Sequence, residues 1–253
     1  MSTLAVIPAR LGATRLPRKP LRLLGGTPLV IRVWQRALAL SLAERVLIAT
    51  DHPDVVAVAR EAGAECVMTS ASHPSGTDRV AEVAGMREYA GYDVIVNIQG
   101  DEPFVPMEAV RGASNMVTSG RFELGTASAP ASRSAFDDPN VVKVVCADDG
   151  RALYFSRAPI PFLRDQADAA AHQPLVRQHI GVYAYTRAAL AAWVALPPHS
   201  LERAERLEQL RPLAAGMPIG VAPVREMLTG GIDTEDDLRR ANERWLDLIA
   251  ERV

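Results

Sequence analysis

Short apolar runs alternate with longer amphipathic stretches from the amino terminus to about residue 118. Leu4-Ala5-Val6-Ile7, Arg45–Thr50 and Glu65-Cys66-Val67-Met68 read as strands, and Val94-Ile95-Val96-Asn97 reads as a central strand buried on both faces. Between them, Pro28 opens a helix to about Ala39. On it Leu29, Val33, Arg36 and Leu40 recur at helical spacing, and Trp34 and Ala37 widen the apolar face. Pro53 occupies the first turn of a second helix, Ser75 and Asp78 frame the start of a third at capping-box spacing, and another begins near Pro106. This alternation predicts right-handed βαβ crossovers and a mostly parallel sheet.

The pattern then changes. Val141–Ala147 and Ala152–Ser156 flank Asp148-Asp149-Gly150, a hairpin signature, and His179–Tyr185 alternates as a further strand. Residues 164–173 are polar and alanine-rich, which predicts a mobile loop. The section from about 124 to 186 therefore reads as a mixed-sheet extension of a single domain spanning 1–253, covering the cleft and pairing subunits. Ser200 opens a stretch dense in charge, with Glu202, Arg203, Glu205, Arg206, Glu208, Gln209 and Arg211; its default meaning is one helix with a solvated face and i,i+4 pairs. Ile219–Ala222 is a last short strand. Thr234 and Asp237 then cap an amphipathic helix carrying Leu238, Trp245, Leu248 and Ile249.

The totals narrow the function classes. A chain of 253 residues, 48% hydrophobic and 23% charged, suits one large α/β domain or one with a sizeable insertion. A net charge of -2 argues against a broad nucleic-acid or polybasic membrane surface, so any phosphate chemistry must come from a local basic cluster. No apolar run approaches the ~18 residues of a membrane span, and the chain enters a strand without a basic leader, so no signal peptide is expected. Cys66 and Cys146 fit free buried thiols of a cytoplasmic protein, and the five scattered histidines indicate no transition-metal site.

Two stretches carry the chemistry. The first follows the opening strand, where Arg10, Arg15, Arg18, Lys19 and Arg22 cluster among Gly12, Pro17 and Pro20. Phosphates bind at this place in many nucleotide folds, although neither a P-loop nor a G-x-G-x-x-G fingerprint is present. The second is Gln99-Gly100-Asp101-Glu102-Pro103, which delivers carboxylates at the carboxyl end of the central strand. Mg²⁺ takes one or two carboxylates plus substrate phosphates, so Asp101 is a candidate ligand; the alternatives are a cap on the helix near Pro106 or a solvated turn. Asp233 either favours the following helix dipole or supplies a second carboxylate. His52 reads as a helix cap before it reads as a catalytic group.

The ordered set Ile7-Pro8-Ala9-Arg10, Thr14-Arg15-Leu16-Pro17, Lys19-Pro20-Leu21, Ala49-Thr50-Asp51-His52, Ser75-Gly76-Thr77 and Gln99–Pro103 resembles the 3-deoxy-manno-octulosonate cytidylyltransferases, or CMP-Kdo synthetases. Leu153-Tyr154-Phe155-Ser156-Arg157, His179-Ile180-Gly181-Val182-Tyr183, Leu207–Arg211 and Gly231-Ile232-Asp233-Thr234 extend that resemblance over nearly the whole chain. It implies a three-layer, Rossmann-like nucleotide-diphospho-sugar transferase fold, a cytoplasmic homodimer and the reaction CTP + Kdo → CMP-Kdo + pyrophosphate, serving lipopolysaccharide synthesis. Under the resemblance, Arg10, Arg15 and Lys19 meet the CTP phosphates, while Pro8, Ala9, Ser75, Gly76 and Gln99 hold cytosine and ribose. Asp101 and Asp233 bind Mg²⁺, with Arg10, Lys19 and these two aspartates as the catalytic set. Arg157, His179, Tyr183, Glu208 and Gln209 surround the sugar acid, Arg157 and His179 facing its carboxylate. Related acidic sugars such as amino-Kdo, and a non-catalytic sugar-nucleotide sensor, are the competing readings. Arg18 stands where that family usually has glycine. Because a positive φ is uncommon for a side-chain-bearing residue, Arg18 argues against such a backbone here, and its side chain is expected to point to solvent.

Overall fold

The structure is a computed structural model that describes residues 1–12, 15–164, 173–225 and 230–250; the loop expected over 164–173 lies largely outside them, as do the side chains of Leu248 and Ile249. In chain order the elements are β1 (Thr3–Ala9), β2 (Leu23–Leu24), β3 (Thr27–Pro28), α1 (Leu29–Leu40), β4 (Arg45–Thr50), α2 (Pro53–Glu61), β5 (Glu65–Met68) and α3 (Gly76–Gly85). They continue with β6 (Val94–Asn97), α4 (Met107–Thr118), β7 (Leu124–Pro130), α5 (Arg133–Asp137), β8 (Lys143–Cys146), β9 (Ala152–Ser156) and β10 (Arg177–Thr186). The last are α6 (Arg187–Ala195), α7 (Ser200–Glu205), α8 (Leu210–Ala214), β11 (Ile219–Pro223) and α9 (Glu235–Ala250).

Two compact units divide these elements. One holds Ser2–Tyr92, Asn97–Val105 and Leu228–Val253. Its strands are parallel: β1 pairs β4 from Leu4↔Arg45 to Ala9↔Thr50, and β4 pairs β5. Leu4, Val6, Ile7, Leu47 and Ile48 are fully buried in it, as β-strands covered by helices require. The α2 helix starts as expected, with Pro53 in its first turn and His52 Nδ1 accepting from the Asp54 N–H at 3.2 Å, so His52 is a cap. Ser75 caps α3 in the same way, accepting from the Asp78 N–H at 3.2 Å.

The other unit holds Asp93–Val96 and Pro106–Met227. Its strands run in the order β11-β7-β10-β6, with β11 parallel to β7 and β10 antiparallel to it, so the sheet is mixed. The expected hairpin is present as β8 and β9, which joins β10 through Gln178↔Lys143. Between Ile180 and Tyr183 the β10–β7 register slips, a bulge of the kind that bends a strand and re-aims its side chains.

The charge-dense stretch differs from expectation. It is not one helix: α7 ends at Glu205, capped by Arg206 at φ 52°, ψ 50°, and α8 begins only at Leu210. Nor is it uniformly solvated, because Arg211 is buried and donates to both oxygens of Glu202, at 2.8 and 2.5 Å. The pair spans nine positions rather than four, and the bend between the helices is what lets the two side chains meet. Cys66 and Cys146 are half-buried free thiols, and burial pushes Cys66 up to about 11.

Candidate active site

The loop after β1 is shaped by one strained residue. Arg18 adopts φ 56°, ψ 31°, the left-handed region, and N-caps the short 3-10 turn Lys19–Leu21. The expectation that an arginine here excludes positive φ is therefore overturned. Proline on either side, at 17 and 20, narrows the ways the chain can turn, and the reversal falls on the residue between Pro17 and Lys19. Its guanidinium, half-exposed, is held by Asp54 at 2.6 Å at the start of α2 rather than left to solvent.

That turn sends Lys19 to two carboxylates. Lys19 Nζ donates to Asp101 Oδ2 at 2.5 Å and to Asp233 Oδ1 at 2.8 Å, and Arg15 Nη2 donates to Asp233 Oδ2 at 2.8 Å. Burial works against the Lys19 ammonium, but the charge and hydrogen bond of Asp101, joined by Asp233, outweigh it and raise its pKa. Burial likewise opposes the Asp233 carboxylate, and Lys19 with Arg15 holds it below the usual range. The alternative reading of Asp101 as a helix cap is not met, since Pro106 stands at the start of α4 with no side-chain cap.

The two aspartates are fixed relative to each other by the backbone. The Ile232 N–H donates to the Asp101 carbonyl at 2.9 Å, and Asp237 Oδ2 receives the N–H groups of Asp233 and Thr234 together with the Thr234 hydroxyl. Leu16, Leu24, Leu29, Ile232, Leu238 and Ala241 pack into one cluster with Phe104 and Trp245, so both carboxylates stand on an apolar base. Glu102 lies against the pair. Burial, then the Asp101 and Asp233 charges, push its carboxyl up to about 8, with Lys19 opposing.

The remaining nucleotide candidates gather around Pro8. A Cβ on Gly100 would come within 2.6 Å of the Pro8 carbonyl oxygen, so only glycine lets the Gln99–Asp101 turn approach β1 this closely. Gly76 lies against the Pro8 ring, and the Ser75 hydroxyl, besides capping α3, donates to Asp78 at 2.6 Å. Ala9 is buried at the end of β1. Arg10 is exposed and makes no ion pair or hydrogen bond among the described residues. Sequence reasoning missed Arg79, which is buried and donates to Thr69 and, at 3.0 Å, to Asp51. The signal was the arginine directly after the Ser75–Asp78 cap, on the helix face that turns inward.

The expected sugar residues all lie in the other unit. Arg157 is clamped: its N–H and Nε donate to Glu205 Oε2 and the Glu205 carbonyl at 2.9 and 2.8 Å, and Nη1 donates to the Pro139 carbonyl at 3.0 Å. Beneath it Lys143, fully buried, gives all three ammonium protons to the carbonyls of Asp138, Val141 and Arg157. Sequence reasoning missed Lys143 and Glu205, because a lysine in a strand and a glutamate in a charged helix carry no distinguishing pattern. The His179 ring stands edge-on to Phe155 at 5.1 Å and tilted to Tyr183 at 5.4 Å, while Tyr183 packs against Tyr185 and Trp193. Gln209 is buried at the start of α8 with Glu208 just before it.

The donor set suits a hard cation. Among the described residues no cluster of three histidines, cysteines or carboxylates could hold a metal, but Asp101 and Asp233 converge on a single ammonium. One or two carboxylates, completed by substrate phosphates, is the pattern of Mg²⁺. A whole triphosphate brought to this pair would add more negative charge than Arg10, Arg15 and Lys19 balance, which is a second reason why a divalent ion would suit this site.

A parallel α/β unit with a basic loop after its first strand and paired carboxylates opposite it defines a nucleotidyltransferase site. The family profile of the cytidylyltransferases matches residues 4–219, and the chain belongs to that family. Within it, the chain is 63% identical to the 3-deoxy-manno-octulosonate cytidylyltransferase of Gemmatimonas aurantiaca, over 97% of this chain and 95% of that one. It is 46% identical to the enzyme of the same name from Polynucleobacter necessarius, over 95% and 94%. A solved CMP:2-keto-3-deoxy-manno-octonic acid synthetase complexed with CTP superposes with a TM-score of 0.86 at 35% identity, covering 100% of both chains. The inositol-1-phosphate CTP transferase of T. maritima shares the fold at 17% identity and a TM-score of 0.66.

Proposed function

We propose that this protein transfers CMP from CTP to 3-deoxy-D-manno-octulosonate, giving CMP-Kdo and pyrophosphate, and so activates the sugar acid for lipopolysaccharide synthesis. The observation that carries the reading is the convergence of Asp101 and Asp233 on one cation beside Arg15, in a chain 63% identical to a 3-deoxy-manno-octulosonate cytidylyltransferase.

The residues divide the work by charge and position. Arg10, exposed and without an ion pair among the described residues, meets the incoming triphosphate first, and Arg15 and Lys19 exchange carboxylate partners for phosphate oxygens. Exchange of one anion for another keeps both cations paired throughout, so the site is ready-made for the leaving pyrophosphate. The Pro8–Ala9 backbone, with Ser75, Gly76 and Gln99, borders the base and ribose. Asp101 and Asp233 would hold Mg²⁺, which supplies Lewis-acid polarisation of the phosphate when bound. Arg157, its Nε and Nη1 already held by the Glu205 and Pro139 carbonyls, offers Nη2 to the sugar carboxylate, and Tyr183, Glu208 and Gln209 border the sugar with His179. Such a transfer asks chiefly for alignment of the sugar hydroxyl with the α-phosphate and for neutralised charge. We place the enzyme in the cytoplasm as a homodimer; among the described residues no helix is long and apolar enough to cross a membrane.

The test is product identification by mass spectrometry from CTP, Mg²⁺ and a mixture of Kdo, amino-Kdo and related sugar acids, with and without EDTA. CMP-Kdo as the dominant product, lost on chelation and restored by Mg²⁺, is the expected result. Turnover of another sugar acid in preference to Kdo, or full activity in EDTA, would replace the reading.

A further inference from the structure

The interaction that decides what His179 presents is made by a residue on the neighbouring strand. Thr126, fully buried on β7, lies opposite Tyr183 and beside the β10 bulge. Its hydroxyl oxygen stands 3.2 Å from the Ile180 carbonyl, 2.8 Å from the Val182 carbonyl and 2.9 Å from His179 Nε2. Carbonyl oxygens only accept, and a hydroxyl carries a single proton. Buried from water, Thr126 gives that proton to a bulge carbonyl, Val182 being the nearer. The contact with His179 must then run the other way, with Nε2–H donating to the Thr126 oxygen.

This fixes the ring. With Nε2 protonated, a neutral imidazole has a bare lone pair at Nδ1. Burial pushes His179 down to about 3, so the ring is neutral under working conditions. Nδ1 has no partner among the described residues and is not one of the sealed, unpaired polar atoms. Phe155 and Tyr183 bracket the ring and keep it from turning over.

We infer that Thr126 is a positioning residue that locks His179 in its Nε2–H form, so that Nδ1 accepts a hydrogen bond from a hydroxyl of the sugar acid. The inference rests on the reading that His179 borders the sugar. It revises one part of that reading: a bare lone pair repels a carboxylate, so the carboxylate falls to Arg157 and His179 selects a hydroxyl. Thr126 thereby contributes to specificity without touching the substrate, in the manner of the groups that set a histidine tautomer from behind.

Long-range ¹H–¹⁵N spectra of the full-length enzyme with ¹⁵N-labelled histidine read the tautomer directly, the His179 signals being assigned by their loss in His179→Asn. Wild type should show protonated Nε2 and unprotonated Nδ1. Thr126→Val removes the acceptor and should move the population toward Nδ1–H, replacing the acceptor with a donor. Its KM for Kdo should then rise about tenfold while KM for CTP changes less than twofold, and Thr126→Ser should restore both spectrum and KM. Wild type with Nδ1–H overturns the inference whatever the substrate, and needs no variant to fold. A switched tautomer in Thr126→Val with unchanged KM for Kdo overturns the hydroxyl contact. Failure of the functional reading looks different from either: wild type itself would release no pyrophosphate in response to Kdo.

Discussion

Arg18 shows how one side chain can be both misfit and support. An L-residue in the left-handed region carries roughly 1–2 kcal/mol of strain that glycine does not, and here the ion pair with Asp54 accompanies it. Arg18→Gly should relieve the strain but add freedom to the unfolded chain, and it loses the pair, so its urea midpoint should stay near wild type. Arg18→Ala keeps the strain and also loses the pair, and should be less stable than Arg18→Gly by about 1 kcal/mol. An alanine variant as stable as the glycine variant would mean that the left-handed backbone is not populated. Because Lys19 is held by two carboxylates irrespective of Arg18, kcat/KM for CTP in Arg18→Gly should change less than about threefold. Gly100 makes the opposite case: it has no misfit, only a neighbour 2.6 Å from where a Cβ would be. Gly100→Ala must push the turn from Pro8 and displace Asp101, the next residue. We expect kcat/KM to fall on the order of tenfold or more. Near-normal turnover would show that the turn yields without moving the carboxylate.

At the scale of elements, strand and helix placement was legible wherever apolar period and caps agreed. Arg45–Thr50 and Glu65–Met68 fall on the expected residues, and the expected His52 and Ser75 caps formed, with Pro53 in the first turn. The break between α7 and α8 was not legible, because nothing in a row of charges says which of them will be buried. Once Arg211 and Glu202 meet out of water, the pair has a pH signature. Arg211 holds the Glu202 carboxyl below the usual carboxylate range, with burial opposing and the His199 N–H assisting. A depressed folded value means the unfolded chain takes up the proton first as pH falls. The stabilisation is thus present above the ordinary glutamate range near ~4.3 and is lost as pH drops through the lower folded value. Glu202→Gln should cost on the order of 3 kcal/mol near pH 7, the scale of breaking a buried pair. By about pH 3.5 the gap between variant and wild-type urea midpoints should have narrowed. A pH-independent gap would make the role of Glu202 purely one of packing.

For the whole molecule, the candidate residues sort by unit: every nucleotide and metal candidate, from Pro8 to Asp233, lies in the parallel unit, and every sugar candidate in the mixed one. The chemistry of the first group was readable because cations and carboxylates in a loop after a strand have few other uses. The supports were not readable: Arg79, Lys143, Glu205 and Thr126 act through burial and orientation, which no single-residue pattern announces. Ligand linkage gives a whole-molecule test of the assigned charges. A ligand that binds only the folded state at 100 times its Kd stabilises by ~2.7 kcal/mol, which for a chain of this size raises Tm by roughly 5–10 °C. CTP with Mg²⁺ should give a shift of that order, and CTP in EDTA a smaller one, because Asp101 and Asp233 then face the triphosphate with no divalent charge between them. In Asp101→Asn one of those carboxylates is gone, so the Mg²⁺-dependent increment should largely vanish while Arg10, Arg15 and Lys19 still bind CTP. The two Tm values for that variant, with Mg²⁺ and with EDTA, should converge. If the full Mg²⁺ increment survives both Asp101→Asn and Asp233→Asn, the ion is held by the nucleotide alone and the carboxylate pair serves only to place Lys19.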